Sequence, residues 1–245
     1  MSIANAYSAW SVSYDSDRNW TRDLDAEVTR RLLTGTSFPV VIEAGCGTGK
    51  NTGFFCDVAD EVHALDFSEG MLKVARQRVL SPKVRFHPVD LSSDWPCREA
   101  CAHLVSFNLV LEHMESLTPV LKIAARCLVP GGTVLISELH PFKQYQNSQA
   151  RFTDALGQEI KVQAYTHHVS DFFRAAEEVG LALVKFNEWW HPEDPARSVP
   201  RLATFLFQRP ARAAAGTVFI RQGPPPRSAA LRARDCASTD GGSSA

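Results

Sequence analysis

The sequence predicts an α/β fold: a mostly parallel sheet with helices on both faces, ending in an antiparallel C-terminal hairpin. Two observations predict it. Between residues 40 and 139, short apolar runs of strand length alternate with stretches of helical period, the pattern of parallel strands joined by helical crossovers. Further along, two strand-like runs follow one another with only a polar loop between them, which reads as an antiparallel pair.

Each element has its own signal. Thr21 reads as a helix cap, with Asp23 and Asp25 in the first turn and Arg30 and Arg31 in the last, signs that suit the helix dipole. Leu24, Val28 and Leu32 recur every four residues, and Gly35 ends the run. VVI at 40–42 stops at Glu43 and a run of glycines, as a buried strand does. EVHALD (61–66) is a second strand with a helix following from Ser68, KVRFHPVD (83–90) a third with a polar loop after it, and HLVSFN (103–108) a fourth. The helix TPVLKIAARCL ends at Pro130, Gly131 and Gly132, a turn feeding the fifth strand, TVLISEL at 133–139. Residues 140–169 are irregular and rich in Gln, Tyr and His; SDFFRAAEEVG is then a helix with Ser170 as its cap and Gly180 as its stop. LALVKFNEWW and RLATFLFQ make strands six and seven, and HPEDPARSVP between them reads as too polar and proline-rich for the core. Residues 211–245 turn to Ala, Gly, Pro, Ser and Arg and read as a disordered tail, within which GTVFI has the look of a short strand or docking segment.

Composition narrows the function. The chain has 245 residues, 44% of them apolar, enough for one substantial core. With 26 Lys and Arg against 27 Asp and Glu, and no long basic run, it lacks the electrostatic footprint of a nucleic-acid binder. No apolar run reaches the roughly 18 residues of a spanning helix, and MSIANAYSAW lacks the layout of a signal peptide. A cytoplasmic chain without membrane partners is expected. The six cysteines show no paired metal spacing, so they read as reduced core or loop residues and no metal site is expected.

The chemistry-bearing string is EAGCGTGKNT at 43–52. A phosphate-binding P-loop needs four residues between its glycines and a hydroxyl after its lysine; here three separate Gly45 from Gly49, and Asn51 follows Lys50. A dinucleotide loop needs GxGxxG, whereas this run is GxGxG, with Glu43 two residues before the first glycine. A carboxylate there opposes pyrophosphate and suits a cationic ligand.

VVIEAGCGTGKNT resembles the first motif of the class I S-adenosylmethionine (SAM)-dependent methyltransferases, a family with a Rossmann-like, seven-stranded sheet. ALDFSEGMLKVAR is similar to its second motif and VDLSSDWP to its third, while FNLVLEHM and CLVPGGTVLISEL resemble the segments around its fourth and fifth strands. Together they cover residues 40–139 in order. The resemblance implies SAM as cofactor, with Gly45 and Gly47 bringing backbone close to its methionine part, Cys46 between them, and Glu43 supporting the amino group and the loop. Asp66, 21 residues after Gly45, would take the ribose hydroxyls. Phe67 and Met71 would flank the adenine, Asp90 and Leu91 would read its edge, and Asn108 would offer its backbone near the sulfonium. Tyr14, in the aromatic segment YSAWSVSYDSDRNW, is the expected lid residue.

The activity so implied is in-line methyl transfer to a small-molecule acceptor through an oxygen or nitrogen nucleophile. A base is needed only if that nucleophile arrives protonated. His140 in SELHPF is the first candidate and His113 in LEHM the second, with Glu138, Tyr165, His167 and His168 also within the relevant segments. In domain terms, 1–210 is the methyltransferase domain, 1–35 its lid helices and 140–169 its acceptor-side insert. The Asp/Asn-Pro-Pro-Tyr motif is absent after the fourth strand, and WPC at 95–97 lies before that strand, so neither the base- nor amide-nitrogen branch nor the cytosine-C5 branch fits. A non-catalytic methyltransferase-like binding subunit, a protein or RNA acceptor, and a nicotinamide oxidoreductase remain as alternatives. Oligomeric state is not legible.

Overall fold

The structure is a computed structural model that describes residues 3–11, 14–16, 19–153, 157–194 and 198–211. Apart from Ala211, the expected tail and its GTVFI segment lie outside the described residues. Among the described residues nine strands run in chain order: β1 (Phe38–Ala44), β2 (Ala59–Asp66), β3 (Val84–Pro88), β4 (Ala102–Asn108), β5 (Leu128–Leu139), β6 (Arg151–Thr153), β7 (Glu159–Lys161), β8 (Ala182–Trp189) and β9 (Leu202–Gln208). Seven of them form one sheet in the order β3-β2-β1-β4-β5-β9-β8, in which β1 to β5 are parallel and β9 is antiparallel to both β5 and β8. The chain therefore works outward from β1 through β2 to β3, then returns to place β4 on the other side of β1. That reversal opens a crevice at the carboxyl ends of β1 and β4, where α/β sheets bind ligands.

Neighbouring residues along each central strand serve opposite faces, as a period of two requires. Ile42, Val105, Ile136 and Phe205 pack in one layer with Leu117, Val120 and Leu121 of helix α5 (Leu117–Cys127) and Phe172 of α7 (Val169–Glu178). Val41, Leu104 and Leu135 pack in the other, with Leu33 at the end of α2 (Trp20–Leu33) and Phe55 of α3 (Thr52–Val58). Helix α4 (Glu69–Arg78) follows β2 and is capped by Ser68, whose hydroxyl accepts the Met71 N–H.

Three local expectations are corrected. The cap of α2 is Asn19, whose Oδ1 accepts the N–H groups of Thr21 and Arg22; an asparagine two residues upstream reaches the orphan donors that Thr21, already inside the helix, cannot. Helix α7 is capped at His168 rather than Ser170, and the Asp171 carboxylate accepts the His168 N–H at 2.8 Å. The Pro130-Gly131-Gly132 turn is absorbed into β5 as a register irregularity against β4.

The irregular insert carries structure of its own. A short helix α6 (Pro141–Tyr145) leaves β5, and β6 and β7 form a separate antiparallel hairpin. An N-terminal helix α1 (Ile3–Trp10) lies against that hairpin, with Ala6 and Trp10 buried against Phe152 and Val162. HPEDPARSVP also departs from expectation, because His191 and Asp194 are buried. The Asp194 carboxylate takes Lys143 at 2.7 Å and Arg201 at 2.6 Å, and partners from two other segments make burial of this polar residue tolerable.

Candidate functional site

A cavity of about 440 Å³ opens at the carboxyl ends of β1, β2 and β4, a volume typical of small-ligand sites. All of the residues expected at the cofactor line it: Tyr14, Glu43, Gly45, Cys46, Gly47, Asp66, Phe67, Met71, Asp90, Leu91 and Asn108. His113 lines it as well, but His140 does not.

The glycine turn is shaped by two different demands. Gly45 has φ +82°, and a Cβ there would stand 2.5 Å from a Val110 methyl, so this position is closed by the loop after β4 rather than by a ligand. Gly47 has φ +53° and open space around the site of a Cβ, and its N–H donates to Asp66 Oδ2 at 2.8 Å. Asp66 Oδ1 accepts the Ser68 N–H at 2.8 Å, so the turn after β1 and the start of α4 are tied through one carboxylate. Met71 and Leu91 are buried, Phe67 is partly exposed, and together they give the cavity an apolar wall. Asp90, at the cavity rim, holds its own loop by accepting from Ser92 N and Oγ.

Asp25, missed in the sequence as a mere first-turn charge, is buried in the wall. It accepts from Asn51 Nδ2 and Asn108 Nδ2, both at 2.8 Å, while Thr29, one helical turn on, takes Asn108 Nδ2 at 2.9 Å. The polar i, i+4 pair on an otherwise apolar helix face was the available signal. Glu43, buried at the end of β1, accepts from the Thr52 hydroxyl.

Three buried carboxyls thus face one cavity. Burial pushes Glu43 up to about 8, against the Thr52 hydrogen bond, and Asp66 up to about 6, against its N–H donors. Asp25 is also raised by burial. Carboxyls held in this way favour a positively charged ligand, which lowers their pKa again. Asn51 Oδ1 is buried with no partner among the described residues and belongs to the same wall; it is an acceptor for an ammonium donor. A group with an apolar ring, ribose hydroxyls, an ammonium and a sulfonium therefore fits the residues present.

His113 sits in the 3-10 turn after β4 (Leu111–His113). Its Nδ1 is 2.7 Å from the Gln163 carbonyl and its Nε2 2.6 Å from the Tyr7 hydroxyl. A carbonyl only accepts, so Nδ1 carries the proton and neutral Nε2 accepts from Tyr7. Tyr7, not anticipated at the site, comes from α1 and lines the cavity; burial raises its phenol well above the ordinary tyrosine range, keeping it protonated. Tyr14 lies beneath the Arg22 guanidinium, 4.1 Å from ring centre to Cζ, and burial lifts it to about 12.

The other base candidates are engaged elsewhere. His140 is buried; its Nε2 is 2.8 Å from Glu188 Oε1 on β8, and its Nδ1 accepts the Phe142 N–H at the start of α6. Its position next to β5 is real, but the side chain turns to the hairpin strand. Glu138 Oε1 accepts the N–H groups of Val110 and Leu111 at 2.8 and 2.7 Å. It holds the turn in which Leu109 has φ +54°, a conformation costly for a branched residue. His167 Nε2 meets the Met114 carbonyl, His168 meets Tyr145, and the Tyr165 hydroxyl accepts from Gln163. None of these five candidates, His140, Glu138, Tyr165, His167 and His168, lines the cavity.

Comparison with known proteins agrees with this geometry. A family model described as a methyltransferase domain matches residues 41–132. An uncharacterized methyltransferase of Emericella nidulans is 31% identical over 225 residues, covering 74% of this chain and 76% of the relative. A malonyl-[acyl-carrier protein] O-methyltransferase of Serratia marcescens is 33% identical over 140 residues, covering 56% of this chain and 52% of the relative, so the match spans about half of that protein. Among solved structures, a DhpI-SAM-HEP complex shares the fold with a TM-score of 0.67 at 22% identity, over 84% of this chain and 95% of that one. Among the described residues, no helix is long and apolar enough to cross a membrane. The chain belongs to the class I SAM-dependent methyltransferases, enzymes whose cofactor is SAM.

Proposed function

We propose that this methyltransferase acts on a small-molecule acceptor through an oxygen or nitrogen nucleophile, with His113 as the base and Tyr7 as its proton conduit. The observation that carries the reading is the Tyr7 and His113 pair in the wall of the cofactor cavity, 2.6 Å apart and with the histidine tautomer set by Gln163. The name of the Serratia marcescens relative, an O-methyltransferase, supports an oxygen acceptor.

When bound, SAM supplies a methyl carbon already activated by its sulfonium leaving group. The chain's residues then have two tasks. Asp66 takes the ribose hydroxyls, Glu43, Asp25 and Asn51 take the positive methionine end, and Phe67, Met71 and Leu91 hold the adenine, with Asp90 at its edge. Fixing the reactants in line in this way contributes roughly 7–11 kcal/mol in favourable cases. The second task is to remove a proton. As the nucleophile attacks, its proton passes to Tyr7 Oη while the Tyr7 proton passes to His113 Nε2, and the resulting imidazolium faces Glu112 Oε1 at 3.8 Å. Tyr14 closes the cofactor cavity as the lid, with 1–35 as the lid helices and 140–169 as the acceptor-side insert of a domain spanning 1–210.

Label from methyl-labelled SAM, incubated with the full chain and a cell extract, should enter the small-molecule fraction. Label confined to the protein or RNA fraction would overturn the acceptor class, and calorimetry with no heat for either SAM or its demethylated product, S-adenosylhomocysteine, would remove the cofactor assignments.

A further inference from the structure

Three successive N–H groups of the turn that carries His113 hang on β5. The Leu109 N–H donates to the Ser137 carbonyl at 2.9 Å, and those of Val110 and Leu111 both donate to Glu138 Oε1, at 2.8 and 2.7 Å. Donors at the start of a helical turn find no acceptor within the turn itself, and Leu111 is fully buried, so solvent cannot stand in. The Ser137 acceptor is backbone, whereas the other is a side chain that this sequence chose. The same turn is also pressed onto the cofactor loop, because a Cβ at Gly45 would stand 2.5 Å from a Val110 methyl. The His113 N–H donates to the Val110 carbonyl at 3.1 Å, which passes that placement on to the histidine.

As a bare cap, Glu138 is costly. It is buried, its Oε2 has no partner among the described residues, and burial, with Glu112 adding to it, raises the carboxyl to about 8. Sealed polar atoms of this kind cost free energy and concentrate where function requires them. In its protonated form the carboxyl still offers one carbonyl-like acceptor, as a glutamine amide does. We propose that Glu138 is a positioning residue for the proton transfer: by holding the 109–113 turn between β5 and the Gly45 loop, it sets His113 Nε2 at 2.6 Å from the Tyr7 hydroxyl. Glu138 does not line the cofactor cavity, so it acts through His113. The inference rests on the reading of His113 as the base and adds the residue that fixes where that base stands.

Two conservative variants separate reach from charge. Glu138→Gln keeps the reach and an acceptor oxygen, and should lose no more than about threefold in the rate of label transfer from methyl-labelled SAM into the small-molecule fraction of a cell extract. Glu138→Asp keeps the carboxyl but draws it back by one methylene, and should lose about 100-fold, the scale of a misplacement by about 1 Å. Calorimetry should find S-adenosylhomocysteine affinity unchanged in both. A general base at this position would give the opposite order. Imidazole nitrogen NMR resonances, assigned to His113 by their loss in His113→Ala, supply a readout that altered stability alone does not move. They should report a neutral ring protonated at Nδ1 in the wild type and in Glu138→Gln, and a mixture of tautomers in Glu138→Asp. Should Glu138→Asp not fold, Leu109→Gly, which frees the same turn at its other end at modest cost in stability, takes its place with the same readouts. Wild-type rate and wild-type His113 signals in the Asp variant, or a Gln variant as slow as the Asp variant, would overturn the proposal. An undiminished rate in His113→Ala would sink the base reading instead, and the His113 resonances then still decide whether Glu138 fixes the ring.

Discussion

The proposed cofactor end and the proposed acceptor end of this molecule are made from different kinds of chain. The first is assembled from strand ends and the tight turns that follow them: Glu43 stands one residue before the end of β1, Asp66 closes β2 and Asn108 closes β4. Its key residues lie at short, regular offsets from buried strands. The second is assembled from α1, the insert hairpin and the loop between β8 and β9, held together by Trp10 on Phe152 and by Asp194 between Lys143 and Arg201. Its contacts join residues far apart in sequence. Strand-end turns are positioned by the sheet itself, whereas contacts between irregular segments are set by side chains distant in sequence.

Substitutions can separate the two ends. The largest effect is expected at their junction: His113→Ala should lower kcat by about 10²–10⁴-fold while calorimetry finds S-adenosylhomocysteine affinity preserved, and Tyr7→Phe should follow in the same direction with a smaller loss. At the acceptor end, Asp194→Ala leaves two buried cations facing each other and should cost roughly 3–5 kcal/mol of stability in urea denaturation. A loss below about 1 kcal/mol would mean the cluster is solvated in solution. Within the cofactor end, Asp66→Ala should weaken S-adenosylhomocysteine about 100-fold, as for two lost charge-assisted hydrogen bonds.

Acidity offers a gentler probe of the same contrast. Glu43 and Glu138 have folded pKa values of about 8 against an ordinary 4.5, and Asp66 about 6 against 3.8. At these three positions the folded chain therefore keeps protons that the unfolded chain has released, so their contribution to stability is full below about pH 4 and declines as pH rises toward about 8. Urea midpoints across that window should fall. SAM, whose sulfonium favours ionised carboxyls, should bind more tightly as pH rises through the same window, and S-adenosylhomocysteine less steeply; parallel curves would show that the carboxyls do not sense the sulfonium. The smallest effect is expected at Leu109→Gly, where relief of the φ +54° backbone and the added freedom of glycine oppose each other at about 1 kcal/mol each, and lost packing against Leu24, Val28 and Leu202 leaves a modest net destabilisation.

Much of the sheet and most of the cofactor wall were legible because they follow from local pattern. Apolar runs of strand length, the glycine spacing and the acid at the end of β2 need only chain connectivity to find their places. The misses share one cause. His140 stands where a base at the end of β5 belongs, yet which way its ring turns was decided by Glu188, 48 residues away. HPEDPARSVP looked too polar for the interior because its partners, Lys143 and Arg201, cannot be paired with Asp194 by inspection. Asp25 read as a dipole-complementing charge because nothing local shows that Asn51 and Asn108 reach it.

By itself, then, the sequence determined the layer architecture and the loop chemistry that exclude phosphate and admit a cationic ligand, since both depend on periods and spacings of a few residues. Tertiary structure alone decided which histidine lines the cavity, and it joined α1 to the insert. These outcomes depend on side chains that meet only after the sheet has brought distant segments together.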